Sequence, residues 1–193
     1  AFQSEKEFTF NEIRQFNRNP LLGSYPGADG IKTGNTPKAG YCLASTSKQQ
    51  GMRLIAVVLN TATEEQRRVD SETLLNYGFR NFELKTLYEK DEVVARVPVT
   101  RGQKREVGLV AAEPVQIVVP RNNRSYKINE ELDLPDAVAA PVKKGVAVGT
   151  LRLKNPEGEL LAEVELKAQE NLKRLGFLSN LLRQFGDFFL GLW

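Results

Sequence analysis

The chain has 193 residues, of which 41% are hydrophobic and 26% are charged. This length and composition suit one or two globular domains with a sizeable core, and they exclude a disordered or collagen-like chain. Lysine and arginine (27 together) only slightly exceed aspartate and glutamate (24), giving a formal charge of +3. That excess falls short of the dense basic surface of a nucleic-acid binder, so no nucleic-acid partner is expected.

Histidine is absent from the sequence, and Cys42 is the single cysteine. These two facts exclude zinc sites built from Cys and His, internal disulfides, and catalysis by a Ser-His-Asp or Cys-His arrangement within this sequence. Any catalytic chemistry here depends on Lys, Ser, Thr, Tyr or carboxylate side chains. The first ten residues are not typical of a secretory signal, and no apolar stretch of about 18 residues predicts a bilayer span.

Residues 1–85 are typical of an α/β segment with an antiparallel sheet. The approach to the first strand holds apolar side chains without a clear period, and the pairs Asn19-Pro20 and Pro26-Gly27 favour a loop with short helical turns. Two apolar runs follow, Ala39–Ser45 and Met52–Leu59. The polar connection between these runs predicts a pair of antiparallel strands.

A helical pattern follows the second apolar run. Thr63 and Gln66 have the spacing of a capping box at a helix start, and Gly78 is typical of a helix end. Between them, Val69 and the segment Leu74–Tyr77 supply the apolar side chains predicted to face the core. The charged residues predicted to form the exposed side are Glu64, Glu65, Arg67 and Arg68.

Residues 86–168 are typical of an all-β, sandwich-like domain. Short β-branched runs recur at regular spacing and are separated by turn-forming residues. The last run alternates apolar with charged side chains, which predicts a strand with one packed face and one face in water. The predicted strands contain Val93–Val99, Val107–Val110, Val115–Val119, Val146–Leu153 and Leu160–Leu166.

Residues 169–193 form a segment with an unusual distribution of apolar side chains. From residue 171 onward, aromatic and leucine side chains fall on one helical face and polar side chains on the other, which predicts a strongly amphipathic helix. Charges in mid-segment make a bilayer span costly, so this helix is expected to lie in a membrane interface. The residues predicted to bind the membrane surface are Phe177, Leu178, Leu181, Phe185, Phe188, Phe189 and Trp193. The alternative is a helix that packs on its own β domain or on another chain.

The tripeptide Lys32-Thr33-Gly34, followed by Asn35, carries the most informative chemistry in the chain. On a strand at a sheet edge, it offers an ammonium group, a hydroxyl group and an unobstructed backbone in succession. Such an edge can hold the carboxylate at the end of a peptide while the strand pairs with the extended substrate. Because the tripeptide also occurs by chance in solvated turns, the surrounding sequence decides its meaning.

That surrounding sequence is similar to the low-molecular-mass penicillin-binding proteins that act as serine D-alanyl-D-alanine carboxypeptidases. The resemblance rests on Phe10–Leu22 (FNEIRQFNRNPLL) and Asp29–Thr36 (DGIKTGNT), and it continues in Ala140–Leu151 (APVKKGVAVGTL) and in the amphipathic tail. It implies that residues 1–85 are the C-terminal part of a penicillin-binding, transpeptidase-like catalytic domain. Residues 86–168 would be the β-rich C-terminal domain of the family, and the tail its membrane-surface helix.

The resemblance also implies a role for each residue of the Lys-Thr-Gly motif. Lys32 would shape the electrostatics around the nucleophile and help to bind the substrate carboxylate, and Thr33 would donate its hydroxyl to that carboxylate. Gly34 would let the substrate backbone approach closely. The backbone N–H of Asn35 would be one of two oxyanion donors. Many relatives carry His at this last position, a difference that leaves a backbone donor in place.

Two further motifs of the family are missing from this sequence. The family carries Ser-x-x-Lys and Ser-x-Asn upstream of Lys-Thr-Gly, and residues 1–31 contain neither. Ser45 and Lys48 match Ser-x-x-Lys formally, but the family pair lies in the first turn of a buried helix, where the lysine can deprotonate the serine. Because Ser45 is predicted at a strand end and Lys48 in the following turn, we interpret this match as a decoy.

The implied function is that of the C-terminal portion of a serine carboxypeptidase. Such an enzyme acylates its serine with a peptidoglycan stem pentapeptide, releases the terminal D-alanine and hydrolyses the acyl-enzyme, without metal or cofactor. β-Lactam antibiotics would be captured as substrate mimics. The resemblance further implies a periplasmic protein, peripheral on the outer face of the inner membrane, with the missing N-terminal portion of the enzyme as a partner. Without that portion, the chain is predicted to be inactive.

Two other interpretations stay open. The first is a non-catalytic membrane-surface module, whose β domain positions partners at the cell wall while the tail anchors it. The second is a homologous β-lactamase, which shares the Lys-Thr-Gly motif. The β-lactamase interpretation is the weaker one, because those enzymes usually lack a β domain and a tail of this kind.

Overall fold

The computed structural model describes residues 2–123 and 126–176. These residues divide into two compact units. The first contains the chain up to Leu84 and a short segment that starts at Val118, and the second contains Lys85–Ile117 and the residues from 126 onward. No helix in the described ranges has the length and apolar character of a membrane span.

The first unit begins with a short 3-10 turn, Phe2–Ser4, and a β-hairpin of strands β1 (Glu7–Phe10) and β2 (Ile13–Phe16). Between the two strands, Asn11 and Glu12 both have positive φ angles, 48° and 62°, as in the two-residue turns that favour hairpins. The strand residues are all exposed. The predicted loop with helical turns is therefore wrong for this segment, because two short apolar runs flank a two-residue turn that favours a hairpin.

Three antiparallel strands form the main sheet of the first unit. They are β3 (Ala28–Thr36), β4 (Gly40–Gln49) and β5 (Met52–Thr61), with β4 in the centre. The two predicted strands are confirmed as β4 and β5. They are longer than predicted because the connection contains only Gln50 and Gly51, both with positive φ, which is the geometry of a tight hairpin turn.

Helix α1 (Glu64–Asn81) follows the sheet and begins at the predicted cap. The Thr63 side chain accepts a hydrogen bond from the backbone N–H of Gln66 at 3.0 Å. The Gln66 side chain donates to Asp70 at 2.6 Å, so it serves a neighbouring carboxylate on the helix. This start satisfies a backbone donor that the first turn of a helix otherwise leaves without a partner.

The packed face of α1 differs from the predicted one. Arg67, Ser71 and Leu75 are buried, four residues apart on a single stripe of the helix. Leu75 lies in the core as expected, whereas Val69, Leu74 and Tyr77 are exposed, so the prediction for these three is wrong. The prediction that Arg67 is exposed is also wrong. The core around Leu75 contains Leu21, Tyr25, Leu43 and Ala56.

Gly78 lies inside α1, so the predicted helix end at this residue is wrong. The helix continues to Asn81, and the extended Phe82 then donates its N–H to the Gly78 carbonyl. A Cβ atom at Gly78 would lie 2.4 Å from Cδ1 of Leu54 on β5. The glycine therefore permits close packing of the helix on the sheet, because any larger residue would collide there.

Beyond α1, the regular elements of the described residues are all strands, as predicted. Six of them form a sheet in the order β10-β12-β13-β8-β7-β11, in which the β7–β11 pair is parallel, and β6 and β9 form a separate two-stranded ladder. The predicted strands are confirmed, while β6, β10 and β11 were not predicted. The strands are β6 (Phe82–Tyr88), β7 (Val93–Thr100), β8 (Glu106–Ala111), β9 (Val115–Pro120), β10 (Asn129–Asp133), β11 (Val138–Ala139), β12 (Ala147–Lys154) and β13 (Leu160–Ala168).

Ion pairs connect neighbouring strands at the β10 end of the six-stranded sheet. Arg152 on β12 lies 3.0 Å from Glu163 on β13 and 3.5 Å from Asp133 on β10. Lys154 contacts Glu131 on β10. These cross-strand contacts explain how β10, which has no apolar pattern and whose residues are all exposed, pairs with β12.

The first residues of the predicted tail helix are not helical. Leu172 forms an antiparallel bridge with Val142, in which their backbone groups exchange hydrogen bonds of 2.8 and 2.9 Å. Leu172 is buried, and Arg174 forms a second bridge, with Gly102, so this segment joins the β structure of the second unit through two isolated bridges. The rest of the predicted helix, with the membrane-binding residues Phe177, Leu178, Leu181, Phe185, Phe188, Phe189 and Trp193, lies outside the described residues.

Candidate functional site

The Lys-Thr-Gly motif lies on β3, which forms one edge of the three-stranded sheet. In the described part of the chain, β3 pairs with β4 on one side only. Lys32, Gly34 and Asn35 are exposed, and Thr33 is half-buried. An edge strand presents backbone N–H and C=O groups that another extended chain can bind, so the motif occupies a place where a peptide could pair with it.

The motif residues alternate between the two faces of the sheet. Thr33 lies opposite Leu43 in the β3–β4 register, and Leu43 is fully buried in the core beside α1. Lys32 belongs to the other face, because successive strand residues point in opposite directions. Its ammonium group donates to the Thr33 carbonyl at 2.9 Å. A ligand that contacts both side chains must therefore lie along the edge of β3.

An ion pair holds β3 in place across the sheet. Both terminal nitrogens of Arg53, on β5, contact the two carboxylate oxygens of Asp29, on β3, at 2.7 Å each. One of these nitrogens also donates to the Thr46 hydroxyl on β4 at 2.8 Å. Hydrogen bonding to Arg53 holds the pKa of the Asp29 carboxyl below its ordinary value. The clamp therefore connects all three strands three residues before Lys32.

A buried asparagine fixes the start of β3 from the preceding loop. Asn19 is 4% exposed, and its side-chain amide donates to the Gly30 carbonyl at 2.9 Å. Its side-chain oxygen accepts from the backbone N–H of Leu21 at 3.1 Å. This position belongs to the sequence stretch that carries the family resemblance. We infer that the Asn-Pro-Leu-Leu segment serves to position the strand that holds the motif.

A surface depression of about 580 Å³ lies at the Asn35 end of β3, and Tyr41 and Thr61 also line it.

The guanidinium of Arg67 lies 5.7 Å from the centroid of the Tyr41 ring, within the range of a cation–π contact. Its nearest carboxylate is Glu64, at 3.7 Å. The sequence offers one signal for this buried cation, its spacing of four residues from Ser71 and of eight from Leu75. The positive charge of Arg67 favours an exposed position, and the prediction followed the charge.

Ser45 and Lys48 do not form a Ser-Lys pair. Ser45 is fully buried on β4, and its hydroxyl donates to the Ala56 carbonyl at 3.3 Å. Lys48 is exposed and still belongs to β4, so its prediction as a turn residue is wrong. Residues three positions apart on a strand lie on opposite faces, and the lysine therefore cannot reach the serine hydroxyl.

No group of three or more Cys, Asp or Glu residues within 2–123 and 126–176 is placed as a metal site requires. The polar groups along β3 are instead an ammonium, a hydroxyl and backbone amides. Such groups bind anionic or peptide ligands through hydrogen bonds. Their chemistry fits recognition of a carboxylate better than coordination of a cation.

Two family models match the chain side by side. Residues 1–63 match the model described as D-alanyl-D-alanine carboxypeptidase, and residues 82–174 match the model described as the C-terminal domain of penicillin-binding protein 5. The first match contains the complete β3 strand with its motif. The second covers the β-rich strands that follow α1.

Known proteins match both regions together. The chain is 36% identical to D-alanyl-D-alanine carboxypeptidase DacF of Bacillus subtilis, over 94% of this chain and 46% of that protein. It is 41% identical to DacC of Escherichia coli, over 94% of this chain and 45% of that protein. The chain thus spans about half the length of the curated relatives it matches.

A solved structure supports the same assignment. Penicillin-binding protein 5 from Haemophilus influenzae superimposes with a TM-score of 0.68 and 34% identity, over 89% of this chain and half of that structure. The sequence matches and the fold therefore agree over both units. The chain belongs to the D-alanyl-D-alanine carboxypeptidase family of low-molecular-mass penicillin-binding proteins and corresponds to their C-terminal portion.

Proposed function

We propose that this chain supplies the substrate-binding edge of a serine D-Ala-D-Ala carboxypeptidase. The single observation that carries the proposal is the position of Lys-Thr-Gly on an exposed edge strand, held by the Asp29–Arg53 clamp. The names of the matched relatives support the same activity. The complete enzyme would remove the terminal D-alanine from peptidoglycan stem pentapeptides through an acyl-enzyme, and β-lactam antibiotics would acylate the same serine.

Each motif residue has a distinct task in this proposal. Lys32 attracts the substrate carboxylate from one face of β3, and the Thr33 hydroxyl donates a hydrogen bond to it from the other face. Gly34 lets the peptide backbone approach the strand. The backbone N–H of Asn35 stabilises the negative oxygen that forms when the serine attacks the carbonyl carbon. The serine and its activating lysine come from the Ser-x-x-Lys motif that this sequence lacks.

In this proposal, the remaining segments of the chain hold the β3 edge close to the cell wall. In the proposal, residues 1–85 complete the catalytic domain, residues 86–168 form a β-rich domain, and residues 169–193 contain the membrane-binding segment. The protein would then act in the periplasm, peripheral on the outer face of the inner membrane. The aromatic and leucine side chains that the sequence pattern would place on one face of a helix support the membrane assignment.

Penicillin labelling tests the activity. We expect no covalent label on the isolated chain, because it lacks the serine nucleophile. A complex of this chain with the upstream portion of E. coli DacC, the part that the match leaves uncovered, should bind fluorescent penicillin on that upstream portion. It should also release D-alanine from a Lys-D-Ala-D-Ala peptide.

Substitution of the motif tests the assigned roles. A hydrogen bond to a charged group contributes about 1.5–3 kcal/mol, so Thr33→Val should lower kcat/KM of that complex by about 10- to 100-fold. Lys48→Ala is the matched control, because this exposed lysine on β4 should leave the rate unchanged. Labelling of the isolated chain, or full activity of the Thr33→Val complex, would contradict the proposal.

A further inference from the structure

Three segments of the second unit meet at the place where the chain leads into residue 177. Gly102, in the turn between β7 and β8, forms a bridge with Arg174, and Val142, in the loop before β12, forms a bridge with Leu172. Further backbone hydrogen bonds of 2.7 and 3.0 Å join the same turn to the final segment. We call the three segments together the basic collar; they are residues 101–105, 142–146 and 169–176.

The basic collar concentrates the positive charge of the second unit. Residues 85–117 and 126–176 contain fourteen lysines and arginines and fourteen aspartates and glutamates, so this part of the chain has no net formal charge. Half of those cations lie in the basic collar, together with a single carboxylate, that of Glu170. All seven cations are exposed. They are Arg101, Lys104, Arg105, Lys143, Lys144, Lys173 and Arg174.

Most of this charge is not neutralised by the folded chain. Glu170 accepts from the Lys104 ammonium at 2.6 and 2.7 Å, so these two opposite charges neutralise each other. Within residues 2–123 and 126–176, no ion pair holds five of the other cations. These five are Arg101, Lys143, Lys144, Lys173 and Arg174. Like charges crowded on one surface repel each other, and an anionic partner removes that repulsion.

The position of the basic collar in the chain identifies the partner. The segment that the sequence pattern predicts to lie in a membrane interface starts at Phe177. Arg174 precedes it by three positions, which is at most about 11 Å of extended chain. The attraction of a cation to anionic lipid headgroups extends over a similar distance, about 8 Å at physiological ionic strength. A tail that lies in a membrane therefore brings the basic collar to the headgroups.

We propose that the basic collar is a binding site for anionic phospholipid headgroups, built into the folded β domain and separate from the apolar face of the tail. This inference rests on the membrane position in the proposed function. A single weak anchor holds a protein on a membrane only marginally, and a patch of basic residues can supply the second signal. The tail contributes apolar burial, and the basic collar contributes selectivity for anionic lipid. Without the tail, the basic collar binds too weakly to hold the chain on vesicles at physiological salt.

Vesicle binding of the full chain tests this site. The partition coefficient is measured at physiological salt on phosphatidylethanolamine vesicles that contain either anionic phosphatidylglycerol or zwitterionic phosphatidylcholine. We expect binding at least about tenfold tighter to the anionic vesicles. Lys144→Glu/Lys173→Glu should lower binding to the anionic vesicles by at least about tenfold, because two attractive charges become repulsive. The same variant should bind the zwitterionic vesicles as the unsubstituted chain does.

Lys90→Glu/Lys127→Glu is the matched control, because it changes the net charge by the same amount at two exposed positions. Lys90 precedes β7 and lies at the opposite end of that strand from Arg101. Lys127 precedes β10, which begins beside the end of β12 that lies away from the basic collar. Charges so placed are screened from the membrane, so this variant should keep the affinity of the unsubstituted chain. Circular dichroism of each free variant verifies its folding.

Lysine reactivity gives a second measurement that needs no substitution. On anionic vesicles, an amine-reactive reagent should modify Lys143, Lys144 and Lys173 at least about tenfold more slowly than in the free chain, because bound headgroups cover these ammonium groups. Lys90 and Lys127 should react at unchanged rates. Mass spectrometry of the digested chain reads each site separately.

Several results would overturn the site. They are equal affinity for the two kinds of vesicle, equal losses in the two double variants, and unprotected lysines in the basic collar. Heparin binding that requires Lys144 and Lys173, with vesicle binding unaffected by their substitution, would assign the surface to a soluble polyanion instead. A full chain that binds neither kind of vesicle would refute the basic collar and the membrane role of the tail together. Penicillin labelling tests the proposed activity on its own, so either proposal can fail while the other stands.

Discussion

At the scale of single residues, Gly27 shows how closely the backbone before β3 approaches the central strand. Its φ angle is +68°, and a Cβ atom would lie 2.1 Å from the carbonyl oxygen of Lys48. The Gly27 carbonyl also accepts a hydrogen bond from the Lys48 N–H at 3.0 Å. A side chain at this position would force the strand that carries the motif away from β4.

We expect Gly27→Ala to lower the free energy of unfolding by at least about 2 kcal/mol, because a positive φ costs a non-glycine residue about 1–2 kcal/mol and the collision adds to that cost. Thermal and urea unfolding followed by circular dichroism measure the loss. Gly158→Ala is the control: its φ angle is also positive, at +85°, but nothing lies within 4 Å of a Cβ atom there. An equal decrease in the free energy of unfolding for both variants would show that the close approach of Gly27 to Lys48 contributes nothing to the effect.

At the scale of elements, the Asp29–Arg53 clamp joins the two edges of the three-stranded sheet. The folded-state pKa of Asp29 lies below its ordinary value of 3.8, so folding favours the ionised carboxylate. The clamp therefore stabilises the folded chain above about pH 4, and this contribution is lost as the pH falls through the lower, folded-state pKa. The strand that carries Lys32 should be most firmly held at neutral pH.

Carboxyl-detected NMR titration measures this pKa directly. We expect Arg53→Gln to raise the pKa of Asp29 toward 3.8, because the largest cause of the lowered value is the hydrogen bond from Arg53. Arg152→Gln removes an arginine from the second unit and should leave Asp29 unchanged. An Asp29 pKa that is unaffected by Arg53→Gln would remove the basis for the clamp.

Strands were predicted correctly where apolar residues recur at short, regular intervals along the sequence. The apolar runs of β4, β5 and most β-domain strands identified them, since each strand buries one face. The cap residue predicted helix α1, but the sequence did not predict which face of the helix packs on the sheet. Two of the buried residues, Arg67 and Ser71, are polar. Gly78 packs against Leu54 and does not end the helix. Strand β10 was missed because cross-strand charges, not apolar residues, hold it.

The candidate site likewise combines residues of a contiguous motif, which a sequence can indicate, with residues that only folding brings together. Lys32 to Asn35 could be predicted as site residues from the sequence, because the motif is contiguous and its context resembles one family; their roles stay a prediction. The clamp from Arg53 and the anchor from Asn19 depend on contacts between residues that are separated along the chain. No local pattern encodes such contacts, so only the folded structure reveals them.

At the scale of the whole molecule, the boundary between the β domain and the proposed membrane segment lies later than the sequence predicts. Leu172 is buried and paired with Val142, so residues up to 176 belong to the second unit. A truncation that removes the segment from residue 171 would therefore damage the β domain. Truncation after Gly176 should therefore test the proposed membrane binding while leaving the β domain intact.

Vesicle flotation tests the membrane proposal with this truncation. We expect the full chain to float with vesicles of phosphatidylethanolamine and phosphatidylglycerol, and the chain ending at Gly176 to stay at the bottom of the gradient with an unchanged melting temperature. Replacing Phe185 and Phe189 by Asp should have the same effect as truncation, because apolar burial drives interfacial binding. Flotation of the truncated chain would contradict the membrane role of the tail.

Within the described residues, β10 and β5 each lie at the edge of a sheet, and these two edges differ in their tendency toward aggregation. Glu130, Glu131 and Asp133 line β10, and a second molecule that paired there would have to strip water from these carboxylates, which protects that edge in concentrated solution. Strand β5 has one charged residue, Arg53, and lacks this protection. The chain should therefore aggregate through β5, and lysine substitutions at Ile55, Val57 and Leu59, which are exposed, should raise its solubility.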